Sequence, residues 1–189
     1  MWITIRRLDG DERVVAGYDT ASPRVDLGDD LFIHEDVRVG VRGWGHDVDV
    51  RIVVVDGRLA ADEVTVGRHE GGGPVTSEAL RGIPVGRLVK RAGGAVQHVR
   101  ERHDSGGTTV GPAWPSEEEG AYVARHGLDD DTLRIVARVY RVAYLIGDPP
   151  TKKVETLLEL PRSTAGRWVA AARERGYLSE ARGPGKAGG

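Results

Sequence analysis

The sequence predicts an α+β chain: an N-terminal antiparallel β-meander with a packed helix, followed by a C-terminal all-α bundle. Three observations predict it. Val37, Val39 and Val41 alternate with Arg38 and Gly40, the period of two of a half-buried strand. Asp56-Gly57 separates two β-branched runs, 48–55 and 58–66, and a glycine there supplies the positive φ that a tight hairpin turn demands. From Ser116 onward, capping residues and glycine stops bracket segments whose apolar residues recur at three and four.

Taken in order, residues 2–8 and 13–16 flank a second turn dipeptide, Asp9-Gly10, so the meander has about four or five strands. Ile52, Val53, Val54 and Val55 are consecutive, which predicts a central strand or one covered on both faces. Gly71-Gly72-Gly73-Pro74 ends the strand region. Thr76 and Ser77 can cap a short helical turn, and Pro84 suits the first turn of a longer helix. The stripe of that helix is Val85, Leu88, Val89, Ala92, Val96 and Val99, weakened at Gly93-Gly94 by about 1 kcal/mol per glycine. Residues 104–116 hold three glycines and two prolines without periodicity and read as a linker, with Trp114 docking on one of the domains.

Ser116 and Glu119 have the spacing of a capping box, and Gly127 suits a left-handed stop. Asp129, Asp130 and Asp131 put negative charge at the start of the next helix, where the dipole favours it. Its stripe is Leu133, Val136, Ala137, Tyr140, Ala143 and Tyr144, and Gly147-Asp148-Pro149-Pro150 ends it. Thr151 can cap a third helix carrying Val154, Leu157 and Leu158. A short connection, 159–162, leads to a fourth at 163–175, which Gly176 stops. The expected domains are therefore 1–103, an α+β module for dimerisation, partner binding or an effector; 104–116, a linker; 117–180, the helical module; and 181–189, a flexible tail.

The 189 residues are 39% hydrophobic and 30% charged, which excludes a wholly disordered, collagen-like or membrane-spanning chain. Cysteine is absent, removing disulfides, thiol nucleophiles, thiolate zinc sites and iron-sulfur clusters. Without a basic-then-apolar leader, a cytoplasmic protein is expected. The net charge of -2 hides a division: residues 1–120 carry 15 basic and 21 acidic side chains, residues 121–189 carry 12 and 8. Such asymmetry predicts modules with different partners.

A long helix, a short one and a third begun after a tight turn form the arrangement of a helix-turn-helix. The run from Lys152 to Val169, containing Ser163-Thr164-Ala165-Gly166-Arg167-Trp168-Val169, precedes Ala172-Arg173-Glu174-Arg175-Gly176-Tyr177-Leu178. This stretch resembles small actinobacterial and phage-type helix-turn-helix DNA-binding proteins over roughly residues 130–178; residues 1–120 carry no such resemblance. It implies a DNA-binding protein that regulates transcription. On a wheel of about 100° per residue, Ala165, Trp168, Val169 and Ala172 share one side, while Ser163, Gly166, Arg167, Ala170 and Glu174 point away. Arg167 is the candidate base contact, since a guanidinium pairs bidentately with the major-groove edge of guanine. Lys152, Lys153, Arg162 and Thr164 are candidate phosphate contacts, Gly166 permits close approach, and Ser163 is either a DNA contact or simply the helix cap. Glu174 argues against deep insertion of the C-terminal half. Because asparagine is absent and Gln97 is the only other carboxamide, the bidentate contact to adenine is missing and guanine should be favoured.

Other chemistry is thin. His98, His103 and Asp104 lack the four-residue spacing that puts two histidines on one helical face, and Glu117–Glu119 read as first-turn charges. Gly185-Lys186 lacks the remaining residues of a phosphate loop. No enzyme, metal or cofactor is expected. The partners expected are double-stranded DNA, a second copy of the chain (a homodimer, motivated by the strand Ile52 to Val55) and possible proteins at the N-terminal module. The competing reading is a scaffold protein whose helical bundle docks on a protein partner.

Overall fold

The computed structural model describes residues 2–8, 11–28, 30–43, 45–102 and 108–179, with side chains from residue 14 onward except 95, 96 and 99–109. Among the described residues nine strands and six helices follow one another: β1 Trp2–Leu8, β2 Asp11–Asp19, β3 Arg24–Gly28, β4 Leu31–His34, β5 Val37–Val41, β6 His46–Val55, β7 Arg58–Arg68, α1 Ser77–Gly82, α2 Val85–Val96, β8 His98–Arg102, β9 Thr108–Pro112, α3 Glu117–His126, α4 Asp130–Leu145, α5 Pro150–Leu157 and α6 Arg162–Glu174. Mixed α and β structure with antiparallel sheets is thus as expected. The expected turn Asp9-Gly10 and the tail 181–189 lie outside the described residues.

Two compact units divide the chain: Met1–Val25 with Ile33–Gln97, and Asp26–Phe32 with His98–Gly189. The first is an antiparallel sheet in the order β1-β2-β5-β6-β7. Asp56 and Gly57 both have positive φ, 50° and 71°, the primed turn whose twist matches the β6–β7 hairpin. One face of the sheet is apolar. Val14 and Ala16 of β2, Val37, Val39 and Val41 of β5, and Val48, Val50 and Ile52 of β6 are buried with Leu88, Val89 and Ala92 of α2, which contacts all five strands. Each fully buried valine or leucine contributes about 1.5 to 3 kcal/mol relative to exposure. The opposite face carries charge pairs instead, Arg42 with Asp49 at 2.7 Å and Arg51 with Asp62.

Three expectations are corrected here. The strand 48–55 is central by pairing, as expected, with Ile52 1% exposed under α2 and Val55 50% exposed. Ile52 therefore supplies no dimer surface, because the chain's own helix already covers it. The helix ends at Val96, so Val99 belongs to β8 and not to its stripe.

The third correction concerns the linker. Within 104–116 the structure has β9, which pairs with β8 (Val99 opposite Gly111, Arg100 opposite Val110), and β8 pairs in turn with β4 (Leu31 opposite Val99). The resulting sheet, β3-β4-β8-β9, belongs largely to the helical unit, and the boundary falls at Gln97, not at 103. Leu31 and Ala113 bury against Val142 of α4, with Leu27 and Trp114 packed beside them. An extended segment that covers a helix in this way has no need of the turn-rich freedom its glycines and prolines suggest.

The punctuation of α3 and α4 is as read from the residues. Ser116 caps α3 with both bonds of the capping box, Ser116 N–H to Glu119 Oε2 at 2.9 Å and Glu119 N–H to Ser116 Oγ at 3.2 Å. Gly127 ends α3 at φ 68°, Gly147 and Gly176 follow α4 and α6 at 75° and 78°. Asp129 caps α4, accepting from Thr132 N–H at 2.7 Å. α4 is buried nearly all round, Ile135, Val139 and Val142 as well as Leu133, Val136, Ala137, Tyr140 and Ala143 of its expected stripe, with Tyr144 only half-buried, because α3, α5, α6 and the strand segment cover different sides of it.

Candidate nucleic-acid interface

α5 and α6 pack on α4 and on each other, joined by residues 158–161. The turn is set by two leucines: Leu158 is buried and Leu160 packs against the same core as Val154, Ala165 and Trp168. Between them Glu159 takes the left-handed conformation at φ 51°, which lets Leu160 N–H reach Glu155 O at 3.0 Å and close α5. α6 then begins at Arg162 with Pro161 in the capping position and no side-chain cap. Ser163 is consequently inside the helix, at its second residue, and is not the cap. Likewise α5 begins at Pro150 after Pro149, so Thr151 lies inside the helix it was expected to cap.

The two sides of α6 differ as its apolar spacing requires. Ala165, Trp168, Val169 and Ala172 are buried in the core shared with α4 and α5, at 0%, 7%, 2% and 0% exposure. Arg162, Ser163, Gly166, Arg167, Ala170 and Glu174 are exposed, and Thr164 lies half-buried at the border. A Cβ added at Gly166 would meet no atom within 4 Å. No internal contact requires this glycine, although glycine in a helix interior costs roughly 1 kcal/mol relative to alanine.

Charge is distributed unevenly around this face. The far half of α6 is tied down: Arg173 donates to Tyr140 Oη at 2.7 Å and lies 5.0 Å over its ring, and Arg175, just past the helix, pairs with Asp130 at 2.6 Å. On α4, Arg134 pairs with Asp131 at 3.3 Å and Arg138 with Glu119 at 2.5 Å. Arg141 donates to Tyr177 O and stands against Gly28, where a Cβ would come within 3.3 Å of the guanidinium. Arg162 and Arg167, by contrast, have no hydrogen bond or ion pair with any described residue.

The lysines expected to join them are differently placed. Lys152 is exposed and pairs with Glu155 one turn later at 2.5 Å, so it remains at the surface with a partner that screens it. Lys153 is turned toward the strand segment, 3.2 Å from Asp148 and 5.4 Å from the centre of the Trp114 ring, with a third of its side chain exposed. It anchors the unit internally. The structure therefore brings Arg162, Ser163, Gly166 and Arg167 onto one face with Thr164 at its edge and Lys152 on the neighbouring helix, and leaves Lys153 apart. Its aromatic partner lies 39 residues earlier, beyond the reach of helical spacing.

The acidic residues that could build a metal site are engaged elsewhere. Asp129 receives the Tyr122 hydroxyl at 2.7 Å, which pushes the phenol up to about 12. The Thr132 N–H, then this hydroxyl, hold the Asp129 carboxyl below its usual range. Asp130 meets α6 only at its C-terminal end, through Arg175. An open cleft of about 410 Å³ lies between Ser116, Glu118, Glu119, Tyr122, Asp131 and Ile135, and no group of three or more His, Asp or Glu among the described residues has the geometry to hold a metal ion. His103 and Asp104 lie outside the described residues. No helix is long and apolar enough to cross a membrane among the described residues. Comparison with known proteins assigns no family, since no family model, curated protein or solved structure matches the chain.

Proposed function

We propose that the chain binds double-stranded DNA through the exposed face of α6, with α5 and α6 acting as a helix-turn-helix, and that it regulates transcription. The observation that carries this reading is the pair Arg162 and Arg167: two exposed guanidiniums without carboxylate partners among the described residues, with the small residues Ser163 and Gly166 between them. Arg167 reads a base edge. Arg162, Thr164 and Lys152 hold phosphates, with Ser163 assisting, and the N-terminus of α6 adds its dipole. The sole carboxamide of the chain, Gln97, is 2% exposed and donates to Gly93 O at 2.9 Å in the other unit, which supports recognition through guanine.

The test is duplex binding by fluorescence anisotropy over a salt series, after selection of bound sequences from random duplexes. Affinity should fall steeply with salt as counterions are released. Arg167→Ala should weaken the selected site by about 1 to 3 kcal/mol and random duplex much less. Equal weakening on both would make Arg167 a phosphate contact. Leu157, 39% exposed at the end of α5, favours the second reading, a bundle that docks on a protein. That reading predicts no appreciable duplex binding at any moderate salt.

A further inference from the structure

We propose that two copies of the chain associate through β7, pairing antiparallel about a two-fold axis that passes through Thr65. β7 is a terminal strand of its sheet, eleven residues long, and no described strand lies along its outer edge. Such an edge presents a row of unpaired backbone donors and acceptors. Asp62 is bulged out of register between the pairs Arg51–Glu63 and Ile52–Ala61, so the regular, pairable stretch is 63–68. Val64 and Val66 lie opposite Val50 and Val48 and share their face, yet Val64 is 41% exposed while Val50 is fully buried. The apolar face of the sheet is cut off at this strand.

Self-complementarity selects the register. A two-fold axis normal to the sheet keeps each side chain on its own face, so the axis must pass through a residue. Centred on Glu63, the strands would set Glu63 against itself and Arg58 against Arg68, and like charges directly opposite are destabilising. Centred on Val64, only one valine pair forms, Val64 against itself, and Val66 comes level with the bulge. Centred on Thr65, each Val64 meets the second copy's Val66 and Glu63 meets Gly67. Among registers centred within this stretch, only this one forms two cross-strand valine pairs and continues the apolar face of one copy into the other. It concerns the first unit alone and is independent of the DNA reading.

Because the chain contains no cysteine, one introduced thiol can report the register. In full-length protein without DNA, sedimentation should give a dimer in a concentration series, and Val64→Lys should give a monomer with unchanged circular dichroism. Under mild oxidation Thr65→Cys should crosslink two copies. Glu63→Cys should not, since its two thiols would sit on strands offset by roughly 14 Å, beyond the roughly 7 Å Cα limit for a disulfide. A monomer at every concentration, a dimer that survives Val64→Lys, or crosslinking through Glu63→Cys in preference to Thr65→Cys would overturn the proposal. Loss of DNA binding with the dimer intact would instead sink the reading of α6.

Discussion

Gly166 offers a substitution in which stability and binding should move in opposite directions. It lies in the fifth position of α6, exposed, and beyond the backbone of its own helix no described residue comes within 4 Å of where a Cβ would sit. Alanine there adds a methyl group without a clash and removes the helix penalty of glycine, worth about 0.8 to 1 kcal/mol. Reduced freedom of the unfolded chain contributes to the same gain. For a unit of this size the midpoint of thermal unfolding should rise by about 4 to 8 °C per kcal/mol. If α6 approaches the groove through this face, the methyl group should nonetheless cost roughly tenfold in duplex affinity, and Gly166→Leu more. The assays are thermal unfolding followed by circular dichroism, and anisotropy on the same samples. Gly166→Ala that is both more stable and binds duplex like the wild type would refute the claim that this face meets DNA. A fall in stability would refute the open space on which the magnitude rests.

Trp168→Ala should destabilise the helical unit by about 3 to 5 kcal/mol, seen as a lowered denaturant midpoint, because the ring is 7% exposed within the core of α4, α5 and α6. Glu159→Gly should stabilise by about 1 kcal/mol, since the left-handed backbone at φ 51° costs any residue with a Cβ about that much or more; chemical denaturation measures it. Asp129 should stabilise α4 above its ordinary carboxylate range and lose that contribution as pH falls through its lowered value, so Asp129→Asn should flatten the acid limb of the stability profile. At the other end, the raised value of Tyr122 means that stability falls as pH rises from the ordinary phenol value of about 10 to about 12. Tyr122→Phe should remove the tyrosinate absorbance step at about 12.

Local chemistry was legible and distant pairing was not. The capping box of Ser116 and Glu119, the primed turn at Asp56-Gly57 and the buried stripe of α6 each depend on residues within a few positions of one another, and all are present. β3 and β4 left no comparable mark, because Leu31 and Phe32 take their partners from β8, far along the chain. The same holds for β9, whose glycines and prolines read as a linker until a second strand is set beside them. Ser163 and Thr151 show another limit. Both are good caps by type, but prolines at 161 and 149 had already fixed the backbone entry to each helix. At the candidate interface the arginines of α6 were found from the helix-turn-helix resemblance and helical spacing, whereas only three-dimensional placement separated Lys153, held over Trp114, from the rest.

The interleaving of the two units has a consequence for how the chain is made. Leu31 leaves the ribosome 68 residues before Val99, its partner in the small sheet. At about 5 to 20 residues per second, β4 waits on the order of several seconds with no strand to complete its pairing. During that interval the segment Leu31-Phe32-Ile33 is an apolar strand in search of an edge, and the helical unit cannot close over Val142 until it is delivered. Maturation of the helix that carries Arg167 is thereby tied to residues synthesised near the beginning of the chain, a dependence that slowing translation between codons 33 and 98 would lengthen.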